Sequence, residues 1–346
     1  MEQIPLLTSF LVPLVLLSCA AGKTRVTESA SASPDASSVE SAARPKLAQD
    51  ANARVPRTRR LDPVVQHLPA PRPLEVLKKT PLYEFRENEV DLYLRDLARR
   101  IPDPRARLVH LARKNLGQRY EIFCLGEFPV ETYDPDPLYT LDRSDCVTFT
   151  EQMYSMALNK SWKGFFDTLM HIRYKGGKIG VATRNHYTEA DWNPNNAWLF
   201  TDMTEKLGGR TEPFTMNVDR ASMLKKQFGV EVRIPKEKFV TSYLPVTSLN
   251  AVYPKLEEGD IVEVVKGKGS GRWVGHVGLF VRGPAGEPHF LHSSAPRVKE
   301  ESLPGYAARM KGKVFGFKFL RLNRHGAGLE KTGLLPSEII RDVPGH

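Results

Sequence analysis

Apolar residues recur with helical spacing at Val90, Leu94, Leu97 and Ile101, and the pattern predicts a helix capped by Asn88 and broken at Pro102 and Pro104. A second helix follows, with Leu108, Leu111, Ala112 and Leu116 inward and Gly117 at its end. The stretch up to Asp142 is irregular and rich in Pro, Asp and Tyr. An apolar helix then opens at Cys146 and runs to Leu158, with Met153, Met156 and Ala157 suited to a buried face. A helix over about 161–174 carries Phe165, Phe166, Leu169 and Ile172, and Gly176-Gly177 stops it. Residues 181–195 read as a loop bearing Arg184, His186, Tyr187, Asp191 and Trp192, and 196–207 as a helix ended by Gly208. Beyond this the period changes. Ile261 to Val265, Trp273 to Val281, Pro288 to His292 and Val314 to Leu322 read as strands separated by Gly, Lys and Pro. Helices first and strands later predict an α+β domain with an antiparallel sheet.

The N-terminal quarter lacks such a pattern. Residues 1–19 read as an export signal, because the apolar run Ile4 to Leu17 is too short to span a bilayer. The run ends in Leu16-Leu17-Ser18-Cys19-Ala20, which resembles a bacterial lipobox and makes Cys19 the expected lipidation site. The other reading is an ordinary signal peptide cut near Ala20 or Ala21; both export the protein. Glu2 is the only charged side chain before the run, where a basic one is usual. Residues 20–79 contain no aromatic residue and little Leu, so they bury little and read as a disordered tether. They hold 11 Lys/Arg against 6 Asp/Glu, about half of the chain's net +10. That charge suits a solvated linker or attraction to anionic lipid or wall polymer. No aromatic-basic pattern points to nucleic acid. The expected organisation is a signal over 1–19, a tether over 20–79, one catalytic domain over 80–325 and a tail over 326–346. Ala20 lacks the aspartate of inner-membrane retention, so an outer-membrane anchor facing the periplasm is expected.

The candidate chemistry centres on Ser144-Asp145-Cys146-Val147-Thr148. A helix N-terminus favours the anionic sulfur of a cysteine in its first turn. Gly275-His276-Val277-Gly278 and Leu291-His292-Ser293 lie on neighbouring strands, so His276 can take the thiol proton and His292 can fix its tautomer. His276, Gly278 and Phe280 share one strand face. The backbone N–H of Cys146 is a natural oxyanion donor. Other readings stand beside these. Cys146 and Cys124 could form a disulfide in an oxidising compartment. His292 could be structural, and His289 competes for its place but faces the other way. Asp145 could serve only as helix cap. Arg184 and His186 are either loop braces or substrate contacts, and Trp192 is either core or a platform for sugar rings. Neither a C-x-x-C pair nor H-E-x-x-H is present, and no metal or cofactor is expected.

The order Leu116-Gly117-x-x-Tyr120, Asp145-Cys146, His276-Val277-Gly278, Leu291-His292-Ser293 resembles the NlpC-type papain-like cell-wall peptidases. Residues about 85–322 more closely resemble the bacterial N-acetylmuramoyl-L-alanine amidase-like family. The further matches are Glu151, Ile172-Arg173-Tyr174, Arg184-x-His186-Tyr187, Asp191-Trp192 and Gly259-Asp260-Ile261. Thr150 departs from the family's usual Val or Ile, and segment 121–144 looks longer than in compact relatives. The resemblance implies a papain-like fold with the cysteine helix packed on the sheet. It implies hydrolysis of a peptidoglycan amide by Cys146, His276 and His292 through an acyl-enzyme. It also implies Tyr120 as a second oxyanion donor and Asp145 as a contact for a substrate amine. The expected bond is the one between the muramyl lactyl group and L-alanine. An endopeptidase cutting between D-glutamate and the diamino acid needs the same triad. A non-catalytic wall-binding lipoprotein is the alternative from another class. The expected partners are peptidoglycan or muropeptides and, through Cys19, a membrane; the protein is expected to be a monomer.

Overall fold

The computed structural model describes residues 69–323. The signal segment, Cys19, the tether up to residue 68 and the tail from 326 lie outside them. Four long helices dominate the first half of the described residues. They are preceded by one short helix, α1 (Leu74–Lys79). α2 (Glu87–Arg100) buries Val90, Leu94 and Leu97, and the Glu89 carboxylate accepts the Arg86 N–H at 2.9 Å at its start. α3 (Pro104–Lys114) starts at a proline behind Asp103, whose carboxylate accepts the Ala106 N–H at 2.9 Å. After the short strands β1 (Arg119–Tyr120) and β2 (Arg143–Ser144) come α4 (Cys146–Leu158) and α5 (Trp162–Arg173). Ser161 caps α5 through the Gly164 N–H.

Packing begins before residue 79: Leu77 of α1 is fully buried, and Arg72 is held by Glu89 at 2.8 Å. α2 begins at Glu87 with Arg86, not Asn88, at its N-cap. The helix expected over 196–207 does not form. After a single turn, α6 (Asn193–Asn195), the Asn196 side chain bonds back to Ile172 O and Trp192 O, and β3 (Phe200–Asp202) pairs with the C-terminal strand. An open sheet edge next to Phe200-Thr201 outweighs the weak helical pattern.

The rest of the domain is mainly sheet. β4 (Glu212–Val218), α7 (Arg220–Phe228), β5 (Glu237–Pro245) and the short α8 (Leu249–Val252) lead into β6 (Ile261–Lys268), β7 (Gly271–Arg282), β8 (Pro288–Ser294) and β9 (Arg297–Ser302). α9 (Leu303–Arg309) and β10 (Val314–Leu322) close the described chain. The sheet order is β2-β1-β9-β8-β7-β6-β10-β5-β4, with β3 also on β10. Every pairing is antiparallel except β1 with β2.

The sheet is covered on both faces. α2 to α5 pack with Ile261, Leu279, Val281 and Leu291. Val262, Val264, Phe280, Phe290, Phe317 and Phe319 join Leu303, Tyr306 and Ala307 of α9 on the other face. This accounts for the near-continuous apolar strands in the sequence.

Candidate active site

Cys146 is the first residue of α4. Asp145 caps the helix: Oδ1 accepts the Thr148 N–H at 2.8 Å, and Thr148 Oγ1 accepts the Asp145 N–H at 2.9 Å. Asp145 Oδ2 also accepts the Phe123 N–H at 3.3 Å. The approach to the helix is pinned from the sheet. Ser144 donates to Gln118 Oε1 at 2.6 Å, and Ser293 of β8 donates to Ser144 O at 2.9 Å. Gly117, at φ +92°, turns the chain so that its N–H reaches Val298 O and Tyr120 enters β1.

The Cys146 sulfur takes a backbone hydrogen bond from Val277, the residue after His276. His276 and His292 face each other across β7 and β8, with His276 Nε2 2.7 Å from His292 Nδ1. Gly278 makes this possible, because a Cβ there would sit 2.6 Å from His292 Cβ. Tyr306 of α9 stacks on the His276 ring, 6.2 Å between centroids at 20°. The Cys146 charge acts on Tyr306 as well. Lys266 of β6 acts electrostatically on both Cys146 and His276. Cys146 thus meets β7 at the residue after His276, and His276 meets His292.

The electrostatics differ from the sequence expectation of a thiolate. Burial, then the Asp145 carboxylate, pushes the Cys146 thiol up to about 12, against the Val277 N–H and Lys266. Burial, then the charges of His292 and Lys266, pushes His276 well below the usual imidazole range. Both shifts favour the uncharged thiol and the neutral imidazole. The cap that starts the helix places a carboxylate where the helix N-terminus would otherwise favour the anionic sulfur.

Other sequence candidates fall differently. His289 points away from the pair and meets Glu300 at 3.0 Å and Glu287 at 3.2 Å. Cys124 and Cys146 are both free, and Cys124 is buried beside Thr148. Tyr120 lies near Cys146 and Asp145; burial, then those two charges, raises its phenol to about 12. Arg184, His186 and Trp192, expected from the sequence as substrate contacts, have internal partners for their polar groups. Arg184 pairs with Asp134 at 2.9 Å and donates to Leu125 O at 3.2 Å. His186 Nε2 meets Val181 O at 2.7 Å, and burial lowers its ring to about 3. Trp192 is 4 % exposed and donates to Glu151 at 3.0 Å.

These family-motif residues instead form a buried network behind the cysteine helix. Arg173 pairs with Glu151 at 3.2 Å and donates to Leu125 O at 3.0 Å. Tyr174 donates to Gly126 O at 3.1 Å and to Glu127 at 3.0 Å. Together they fix α4, α5 and residues 124–127.

Sequence reasoning missed Glu301, Lys266, Gln118 and Tyr306. Glu301 Oε1 meets His292 Nε2 at 2.9 Å and Arg309 Nη2 at 2.9 Å. Its signal was the alternation Lys299, Glu301 on β9, in register with His292 and Phe290. No cluster of three or more metal-ligating side chains occurs among the described residues.

The fold and site thus define an α+β domain in which a cysteine at a helix start meets the backbone of a strand beside one of two hydrogen-bonded, strand-borne histidines. Residues 110–312 match the model of the AmiA-like, N-acetylmuramoyl-L-alanine amidase-like family, over more than half of the chain. The chain belongs to that family. It is similar in fold to a Legionella pneumophila protein of the family designated DUF1460, at 21% identity and a TM-score of 0.60, covering 68% of this chain and 95% of that one. It is similar also to an N-acetylmuramoyl-L-alanine amidase from Bacteroides uniformis, at 23% identity and a TM-score of 0.52, covering 64% of this chain and 99% of that one. A comparison with curated protein sequences found no match.

Proposed function

We propose that this chain is a peptidoglycan amidase that hydrolyses the amide between the muramyl lactyl group and L-alanine, with Cys146 as nucleophile. The observation that carries the reading is Cys146 at the start of α4, its sulfur on the Val277 N–H beside the hydrogen-bonded His276–His292 pair. The amidase-like family and the name of the Bacteroides uniformis neighbour support the substrate. A cysteine helix packed on an antiparallel sheet supports an NlpC-type papain-like arrangement.

In this mechanism the neutral His276 takes the thiol proton as sulfur attacks the lactyl carbonyl. The Cys146 backbone N–H and the protonated Tyr120 phenol donate to the oxyanion; one such donor contributes ~2.7–4 kcal/mol of barrier reduction. His276 then gives its proton to the departing L-alanine nitrogen, leaving a muramoyl thioester. Asp145 is partly exposed, and its charge suits the amine so freed. Water activated by His276 hydrolyses the thioester and restores the thiol. No cofactor takes part.

The export reading rests on the sequence of residues 1–19, and anchoring rests on Cys19. With the basic stretch after them, they would hold a monomeric hydrolase at the cell envelope within reach of the wall. No helix among the described residues is long and apolar enough to cross a membrane.

Mass spectrometry of muropeptides digested by the purified protein tests the substrate bond. Free sugar chains together with intact stem peptides are expected. Shortened stems still attached to sugar would replace the amidase with an endopeptidase.

A further inference from the structure

The hydrogen-bonded path from His276 does not end at His292. His292 Nε2 is 2.9 Å from Glu301 Oε1 on β9, and Arg309 of α9 grips both carboxylate oxygens of Glu301 through its two Nη atoms. Lys299 Nζ stands 3.3 Å from the same oxygen. His292 is 1 % exposed, so the path is closed to water at its middle.

A path of two neutral imidazoles has two proton arrangements. In one, both rings are protonated on Nε2, and Nδ1 of His276 is a bare lone pair. In the other, both are protonated on Nδ1, and His276 offers the thiol an N–H instead of a base. The 2.7 Å link between the rings satisfies either arrangement, so the rings alone do not choose. An ionised carboxylate at the far end does choose, because it only accepts.

We propose that Glu301 is a positioning residue that fixes His292 as its Nε2–H tautomer. Nδ1 of His292 then accepts Nε2–H of His276, and Nδ1 of His276 is left free as the base. The value of this role rests on His276 acting as base; the tautomers themselves do not depend on it. Burial alone would raise Glu301, but its hydrogen bonds to His292 and Arg309 and the charges of His292 and Lys299 hold it well below the usual carboxylate range. Arg309 and Lys299 therefore keep the end of the path an acceptor. A protonated Glu301 could donate and reverse the path. Tyr306 closes the side: it stacks on His276 and meets the His292 ring edge-on at 5.6 Å.

The test is long-range 1H–15N correlation NMR of the folded protein with 15N-labelled histidine, above the pH at which either ring is charged. His276→Gln and His292→Gln assign the two signals. The groups facing the pair are Lys266, Lys299, Glu301, Tyr306 and Arg309, with Cys146 on the neighbouring Val277 N–H, and both assignment variants leave all of them in place. Both rings are expected protonated on Nε2. In Glu301→Ala, a mixture of Nε2–H and Nδ1–H forms is expected, with kcat on muropeptide falling and KM nearly unchanged. An Nδ1–H form of either ring in the wild type would overturn the proposal even if Glu301→Ala does not fold. So would unchanged tautomers in a folded Glu301→Ala. The spectrum needs no substrate, so it can fail while the amidase reading holds, and hold while that reading fails.

Discussion

His276 Nε2 and His292 Nδ1 lie 2.7 Å apart on adjacent strands, and His292 in turn is held by Glu301. On the proposed mechanism His276 is the base and His292 orients it. A glutamine at 292 can still accept the His276 N–H, whereas a glutamine at 276 cannot take a proton. His276→Gln is expected to lose roughly 10²–10⁴-fold in kcat, the usual worth of a general base. His292→Gln should lose at least about tenfold less, ~1.4 kcal/mol of barrier. His289→Gln should be near wild type. Steady-state kinetics on muropeptides decide, and equal losses at 276 and 292 would misassign the pair.

Gly278 is the residue that lets the two histidine strands close. An alanine Cβ there would meet His292 Cβ, Leu291 O and a Phe290 ring carbon, all at 2.6–2.7 Å. Gly278→Ala is expected to cost about 1–3 kcal/mol in stability, as overpacking does. Activity should fall more than stability alone explains, because β8 must shift and lengthen the ring-to-ring bond. Denaturant unfolding and kinetics on the folded variant separate the two effects. A folded variant with unchanged kcat would contradict this packing.

Asp145 has opposed effects: it caps α4 and raises the thiol beside it. With Cys146 pushed up to about 12, the thiolate fraction still grows tenfold per pH unit above pH 9, where an ordinary thiol of pKa ~8.5 levels off. Alkylation of Cys146 by iodoacetamide should follow that rise. Asp145→Asn removes the charge and keeps a cap of similar strength. The thiol pKa then falls, so alkylation at pH 8 should quicken with little change in Tm. Equal or slower alkylation would contradict the electrostatic account.

The ion pair of Glu151 and Arg173 is buried, with side chains 2 % and 8 % exposed. Removing one partner leaves the other charge without compensation. Glu151→Ala should lose about 3–5 kcal/mol, while leaving Cys146 in the sequence untouched. Chemical denaturation measures this directly. A loss under about 1 kcal/mol would mean that the network does not brace α4.

Much of the site was legible because its parts are local. A cysteine after Asp145 with Thr148 three residues on is a capping pattern, and His276-x-Gly278 alternation sets one strand face. The four long strand patterns fell where β6, β7, β8 and β10 lie. What escaped depends on distant pairing. Glu301 matters only through the register of β8 with β9, and Lys266 only through β6 beside β7. Arg184, His186 and Trp192 have protein partners that their local sequence does not report, because polar residues look alike whatever they bond. Phe200–Asp202 formed a strand because β10 offered an edge, which no local pattern reports.

The central claim is that Cys146 attacks the substrate carbonyl and carries it as a thioester. Intact-protein mass spectrometry of the enzyme, quenched in acid while turning over a muropeptide, measures this most directly. The account expects an added mass equal to the acylated sugar fragment, located on the peptide containing Cys146 and absent from Cys146→Ala, which should not turn over. Cys124→Ala should show the same adduct as wild type. Near-normal turnover by a folded Cys146→Ala would contradict the mechanism.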